Sequence, residues 1–206
     1  MTSIKILGQL LGLATRAFNW LYVHPDFQIL RNELIKWKYI TCEPGAIFIG
    51  RRVRFGKDVK IKAEKGAHIR IGDSVFLRDD VDILVLKGGS LTIGSETVIG
   101  VRCLVRCRKL IEIGSQVSIG PDCKIIDHVH SLSLKGKTPN KYWTKSIKIG
   151  NGVGLFSNVF VGMGAEIGDF SKVSLNSVVK GPVPSSCFVG GDPLKIIFPK
   201  NKKLIR

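Results

Sequence analysis

Residues 91–126 read LTIGSETVIGVRCLVRCRKLIEIGSQVSIGPDCKII, and one spacing runs through them: Ile93, Ile99 and Val105 lie six apart, and so do Ile113, Ile119 and Ile125. Outward from this stretch the triplet recurs as Ile49, Phe55, Ile61 and as Ile71, Leu77, Ile83 on one side, and as Ile149, Leu155, Val161 and Ile167, Val173, Val179 on the other. A period this persistent, from residue 49 to residue 179, marks an internal repeat. Two residues before most anchors stands a small or β-branched residue, as at Val53, Val59, Val75, Val81, Thr97, Cys103, Val117, Cys123, Val153 and Val159. Two alternate positions of each hexad therefore point inward from one short strand. Glycine follows many anchors, among them Gly50, Gly72, Gly94, Gly114 and Gly150, where a chain turning every six residues is expected to need a permissive backbone. Three strands and three corners make one coil, and stacked coils make a solenoid.

Between triplets the step is 10, 10, 8, 24 and 6 residues, so extra chain enters after every third strand, always at the same corner. The long step, Ile125 to Ile149, places an inserted loop at residues 126–148. A long loop on a regular scaffold is where function is usually carried.

Length and charge agree with one folded body. The chain has 206 residues, 44% apolar, 23 Gly, 8 Pro and 8% aromatic, which favours short strands and turns and excludes an all-α fold. Thirty-two Lys and Arg against 16 Asp and Glu leave a net charge of +16, which points to an anionic partner. No nucleic-acid-binding motif accompanies that charge, and no nucleic-acid partner is expected. Five cysteines at irregular spacing indicate neither disulfides nor zinc, and suit a reducing, cytoplasmic home. No metal is expected, since of His24, His68, His128 and His130 only the last two are close in sequence. The run Ile4 to Tyr22 is broken by Lys5, Gln9, Arg16 and Asn19, so it reads as an amphipathic helix rather than a spanning one. A second helical run passes through Phe27, Leu30, Leu34 and Trp37. Two readings of this N-terminal segment stay open: a cap on the first coil, or, through residues 1–22, a peripheral contact with the inner face of the cytoplasmic membrane.

Three local motifs accompany the repeat: IIDHVHS (Ile125 to Ser131), IGNGVGLFSNVFVGMGAEIGDFSKVSLNSVV (Ile149 to Val179) and GGDPLKII (Gly190 to Ile197). On these residues the chain resembles the hexapeptide-repeat acyltransferase family, especially bacterial polysaccharide and lipopolysaccharide O-acetyltransferases, over about residues 45–198. The resemblance implies an all-β fold, a left-handed parallel β-helix of about six coils with an N-terminal helical cap and an inserted loop. The expected boundaries are 1–44 for the helical segment, 45–188 for the β-helix with insertion 126–148, and 189–206 for a C-terminal extension. It also implies a homotrimer with sites between subunits, acetyl-CoA as co-substrate and a carbohydrate acceptor. Matched residue by residue, it makes His130, the second His of D-H-x-H, the general base, with His128 as the alternative and Asp127 to orient an imidazole. Gly154, Ser174, Asn176, Lys180 and Lys195 are the implied CoA contacts.

Elementary chemistry fits that reading. A sugar hydroxyl is a weak nucleophile, and an imidazole with a pKa near ~6.5 can take its proton as it attacks a thioester. Within the loop, Lys135, Lys137, Lys141, Lys145 and Lys148 suit phosphates, while Tyr142 and Trp143 offer aromatic faces to a sugar ring. The chain departs from the family where Gly154 replaces a Trp and Ser174-Leu175-Asn176 replaces a smaller segment. The floor of the CoA groove is therefore expected to be emptier at Gly154 and bulkier at Leu175. Two rival functions remain at this stage: N-acetylation of an amino sugar or xenobiotic, and a catalytically silent trimeric β-helix scaffold.

Overall fold

The structure, a computed structural model, describes residues 25–42, 46–130 and 142–198. The second helical run appears as the helix Pro25–Cys42, which leaves Ile29, Leu30, Leu34 and Trp37 exposed. The first run, residues 4–22, lies outside the described residues. From residue 47 onward the chain winds into a three-faced parallel solenoid. Its first face carries seven parallel strands, from Ile47–Ile49 to Pro182–Val183. The second carries seven parallel strands, from Arg54–Phe55 to Phe188–Gly190, and the third carries six, from Lys60–Ala63 to Val178–Val179. Among the described residues six complete coils result, with two strands of a seventh.

The anchors are the core. On the first face Ile49 pairs with Ile71, Ile71 with Ile93, Ile93 with Ile113, Ile113 with Ile149 and Ile149 with Ile167, so identical side chains stack in one column. Each of these isoleucines is at most 3% exposed. Burying one contributes about 1.5–3 kcal/mol. Because side chains alternate across a strand, the residue two before the anchor fills a second inward column, and there polar groups find partners in the next coil. Thr97 donates to the carbonyl of Gly114 at 2.9 Å, and the thiols of Cys103 and Cys123 donate to the carbonyls of Gly120 and Phe156 at 3.1 and 3.0 Å. These cysteines are packing residues, and Cys107 and Cys187 are buried as well.

The glycines after the anchors have a different cause from the one the turn suggests. Their φ angles are not positive; the left-handed conformation falls two residues later and is adopted by Arg52, Ser74, Glu96 and Gln116, with glycine only at Gly152 in that run. What excludes a side chain after the anchor is the next coil. A Cβ on Gly94 would lie 2.5 Å from the carbonyl carbon of Gly114, and one on Gly100 would lie 2.6 Å from that of Gly120.

The extra residues enter between the third and first faces, as the spacing requires. At the far end, the strand Lys195–Phe198 turns back antiparallel on Phe188–Gly190, which covers part of an open sheet edge.

Candidate active site

The inserted segment begins where the strand Lys124–Ile126 ends. Asp127 then turns its carboxylate inward, fully buried, into the bend between the strands Leu104–Cys107 and Leu110–Ile113 of the coil before. Three backbone N–H groups in that bend donate to it: Arg108 at 2.8 Å, Lys109 at 2.7 Å and Leu110 at 3.1 Å. The Cys107 thiol adds a contact at 3.6 Å. Burial, followed by the neighbouring Asp127 charge, pushes that thiol up to about 12. The backbone of Asp127 also ties the insertion at its base, accepting from Lys145 N–H at 3.1 Å.

From this knot a short antiparallel hairpin projects, pairing His128 with Thr144, Val129 with Trp143 and His130 with Tyr142. Directly opposed residues share a face, and successive residues alternate. His128, His130, Tyr142 and Thr144 therefore occupy one face, and Val129 and Trp143 the other. The His130 and Tyr142 rings are 4.5 Å apart, and the two imidazoles 6.5 Å. His128 Nδ1 lies 2.9 Å from Asp127 Oδ1, and its side chain is 10% exposed. An Nδ1–H directed at the carboxylate would fix the orientation of the ring. His130 is exposed. Asp127 thus orients His128, and its contacts do not extend to His130.

The other expected site residues are spread along the solenoid. Tyr142 joins the histidine face, whereas Trp143, 66% exposed, stands on the opposite one. Gly154 is buried on the second face beside Lys172. The space above it is not empty: a Cβ there would lie 2.7 Å from Lys172 Cδ, and Lys172 Nζ donates to the carbonyl of Gly152 at 3.0 Å. Leu175 does protrude, 58% exposed. Asn176 pairs with Asn158 at 2.8 Å, on the corner between second and third faces. Ser174 lies on the same turn and donates its N–H to the carbonyl of Val189. Lys195 pairs across from Gly190, and Lys180 is exposed just past the strand Val178–Val179. Lys148 sits in register between Glu112 and Glu166 on the first face. Lys135, Lys137 and Lys141 lie outside the described residues.

Two contributors escaped the sequence. Lys172 is one. Arg108 is the other: its guanidinium carbon lies 3.5 Å from the centre of the Tyr142 ring. The available signal was register, since Arg108 stands three residues after Val105 as His128 stands three after Ile125, and those two anchors are stacked. Among the described residues no group of three or more His, Cys, Asp or Glu is arranged to hold a metal. No described helix is long and apolar enough to cross a membrane.

No protein-family model matches the chain. Among curated proteins it is 28% identical over 170 residues to WbbJ of Escherichia coli (strain K12), assigned as a lipopolysaccharide biosynthesis O-acetyl transferase, covering 80% of this chain and 78% of that one. It is 30% identical over 92 residues to YvoF of Bacillus subtilis (strain 168), assigned as an acetyltransferase, covering 45% of this chain and 49% of that one. The chain thus spans about half the length of YvoF. Among solved structures, the hexapeptide-repeat containing acetyltransferase VCA0836 of Vibrio cholerae is 28% identical, with a TM-score of 0.53 over 75% of this chain and 74% of that one. In sequence and in fold the chain is akin to hexapeptide-repeat acetyltransferases. AntD of Bacillus cereus, an N-acyltransferase solved in complex with dTDP and 3-hydroxybutyryl-CoA, shares the fold, with a TM-score of 0.66, 22% identity and coverage of 78% and 86%. The architecture matches the left-handed β-helix that the resemblance implied.

Proposed function

We propose that this protein is an acetyl-CoA-dependent O-acetyltransferase acting on a sugar hydroxyl in bacterial surface-polysaccharide synthesis, with His130 as general base. The observation that carries the reading is the hairpin. It presents an exposed imidazole beside Tyr142 on a face whose second imidazole is held by a buried carboxylate, in a chain whose relatives are acetyltransferases. A base must reach its substrate, which favours exposed His130 over largely covered His128.

In the reaction His130 takes the acceptor proton as the hydroxyl oxygen attacks the thioester carbonyl. The tetrahedral intermediate then collapses, the C–S bond breaks, and the proton passes from the imidazolium to the departing CoA thiolate. His128, locked by Asp127, supports the hairpin and the face on which His130 stands. For the donor, the cations of Lys180 and Lys195 suit phosphates, and Ser174, Asn176 and the Gly154 strand offer polar edges to a pantetheine arm. Lys172 takes part of the room that Gly154 leaves. The exposed Phe170, Leu175 and Trp143, 58–66% accessible in a single chain, support a trimer that shares its sites between neighbours. The WbbJ likeness favours a lipopolysaccharide-type acceptor over an amine. A cytoplasmic location, with residues 1–22 at the inner membrane face, would bring the enzyme to a lipid-linked glycan.

The test is calorimetric titration with acetyl-CoA at moderate salt, with desulfo-CoA and ATP as controls, followed by acceptor turnover. We expect saturable binding near one site per chain, absent with ATP. His130→Ala should keep that binding and lower kcat on the order of 10²- to 10⁴-fold. Full turnover by His130→Ala, with loss in His128→Ala, would refute the assignment of the base. A monomer by light scattering would remove the shared-site arrangement.

A further inference from the structure

Resting on that reading, we infer that Arg108 selects an acceptor that is itself anionic, carrying a carboxylate or phosphate close to the hydroxyl that is acylated. Arg108 belongs to the site by position. Its backbone N–H is held by Asp127, the carboxylate that also holds His128, and its guanidinium rests on Tyr142, whose ring packs against His130. One buried group thus sets both the imidazole and the cation in place.

The guanidinium is not consumed by an acid. Elsewhere in the solenoid Arg51, Arg102 and Arg106 pair with Asp73, Asp122 and Asp82 at 2.8–3.2 Å. Among the described residues no carboxylate pairs with Arg108, and Asp127, the acid beside it, is buried and occupied by the backbone of the bend. A guanidinium carbon 3.5 Å above a ring centre is at stacking distance. Stacking occupies the face of the guanidinium and leaves its in-plane N–H donors directed outward. Planar donors held in that way suit bidentate capture of an oxyanion. Exposed Lys109 and Lys145 add positive charge at the same corner.

The phosphates of the donor are a poor match for this cation. They lie at the far end of the pantetheine arm from the thioester, and the thioester must come to His130. Arg108, one ring away from that base, faces the acceptor.

The test compares hexuronates, hexose phosphates and the corresponding neutral methyl hexosides as acceptors, with wild-type protein, Arg108→Gln and Arg108→Lys, each first titrated with acetyl-CoA. We expect kcat/KM for at least one charged class to exceed its neutral counterpart by on the order of tenfold to a hundredfold, the range for one charge-assisted contact. In Arg108→Gln the ratio should fall to near one while acetyl-CoA binding persists, and Arg108→Lys should restore it in part. Preference for hexuronates would place the charge on the sugar ring, and preference for hexose phosphates would place it on a phosphate. Equal use of neutral acceptors by the wild type, turnover of no charged acceptor, or a preference that survives in Arg108→Gln overturns the inference while acyl transfer stands. A wild-type protein that does not bind acetyl-CoA overturns acyl transfer and this inference together.

Discussion

Replacing Asp127 by Asn tests whether one buried carboxylate organises the insertion. The change keeps the volume of the side chain and removes its charge. One oxygen remains, able to serve Lys109 and Leu110, whose N–H groups lie 2.7 and 3.1 Å from Oδ2. The new amide N–H₂ then replaces Oδ1 and faces the Arg108 N–H at 2.8 Å, which keeps only its longer contact with Oδ2 at 3.0 Å, while His128 Nδ1, 2.9 Å away, loses its charged partner. Bonds to a charged acceptor contribute about 1.5–3 kcal/mol each against about 0.5–1.5 for neutral ones, and a donor left facing a donor costs a further ~1–3. A loss of about 3 kcal/mol is therefore expected, concentrated at this corner rather than shared along the solenoid. Native-state hydrogen exchange reads it directly: protection of the Arg108, Lys109 and Leu110 amides should fall on the order of 10²-fold, with amides of the distant strand His68–Ile71 unaffected. Asp169→Asn is the control. Asp169 accepts the Asn151 N–H at 2.7 Å and is only partly buried, and its replacement should cost under about 1 kcal/mol. Unchanged protection at residues 108–110, or an equal loss from Asp169→Asn, would refute the account of Asp127.

Two further outcomes follow from the packing. Gly94→Ala should lower stability by about 1–3 kcal/mol, measured as a shift in the denaturation midpoint, because its Cβ would meet backbone at 2.5 Å; Gly154→Ala should cost far less, since only the flexible Lys172 chain must move. Cys103, Cys107, Cys123 and Cys187 are buried; the hydrogen bond with Cys123, followed by burial, holds the Cys103 thiol well above the ordinary range, and burial does the same for Cys107. A thiol reagent at pH 8 should therefore leave these four unmodified in the folded protein and modify them in denaturant; rapid labelling of Cys107 in the native state would contradict the burial of the Asp127 pocket.

How far the sequence reaches is set by the range of the interactions. A six-residue coil side is local: two inward positions, a corner, and an anchor that must meet the anchor above it. Its record is therefore continuous in the chain, and Ile49 to Val179 disclosed the faces, the coil number and the corner that receives the insertion. The D-H-x-H segment was legible in the same way, as a motif at the one long step. What tertiary structure alone decided are contacts between coils and across the insertion. Asp127 chose His128 because that imidazole is its chain neighbour on the hairpin, while the other partners of its carboxylate are the Cys107 thiol and backbone groups 17–20 residues earlier, brought beneath it by one turn of the solenoid. Arg108 reached Tyr142 through strand pairing of His130 with Tyr142 across the loop, and Lys172 filled the gap over Gly154 from the next coil. The glycines after the anchors belong here too: their conformation is ordinary, and only the backbone of the coil above, 2.5–2.8 Å from a hypothetical Cβ, explains why no side chain stands there.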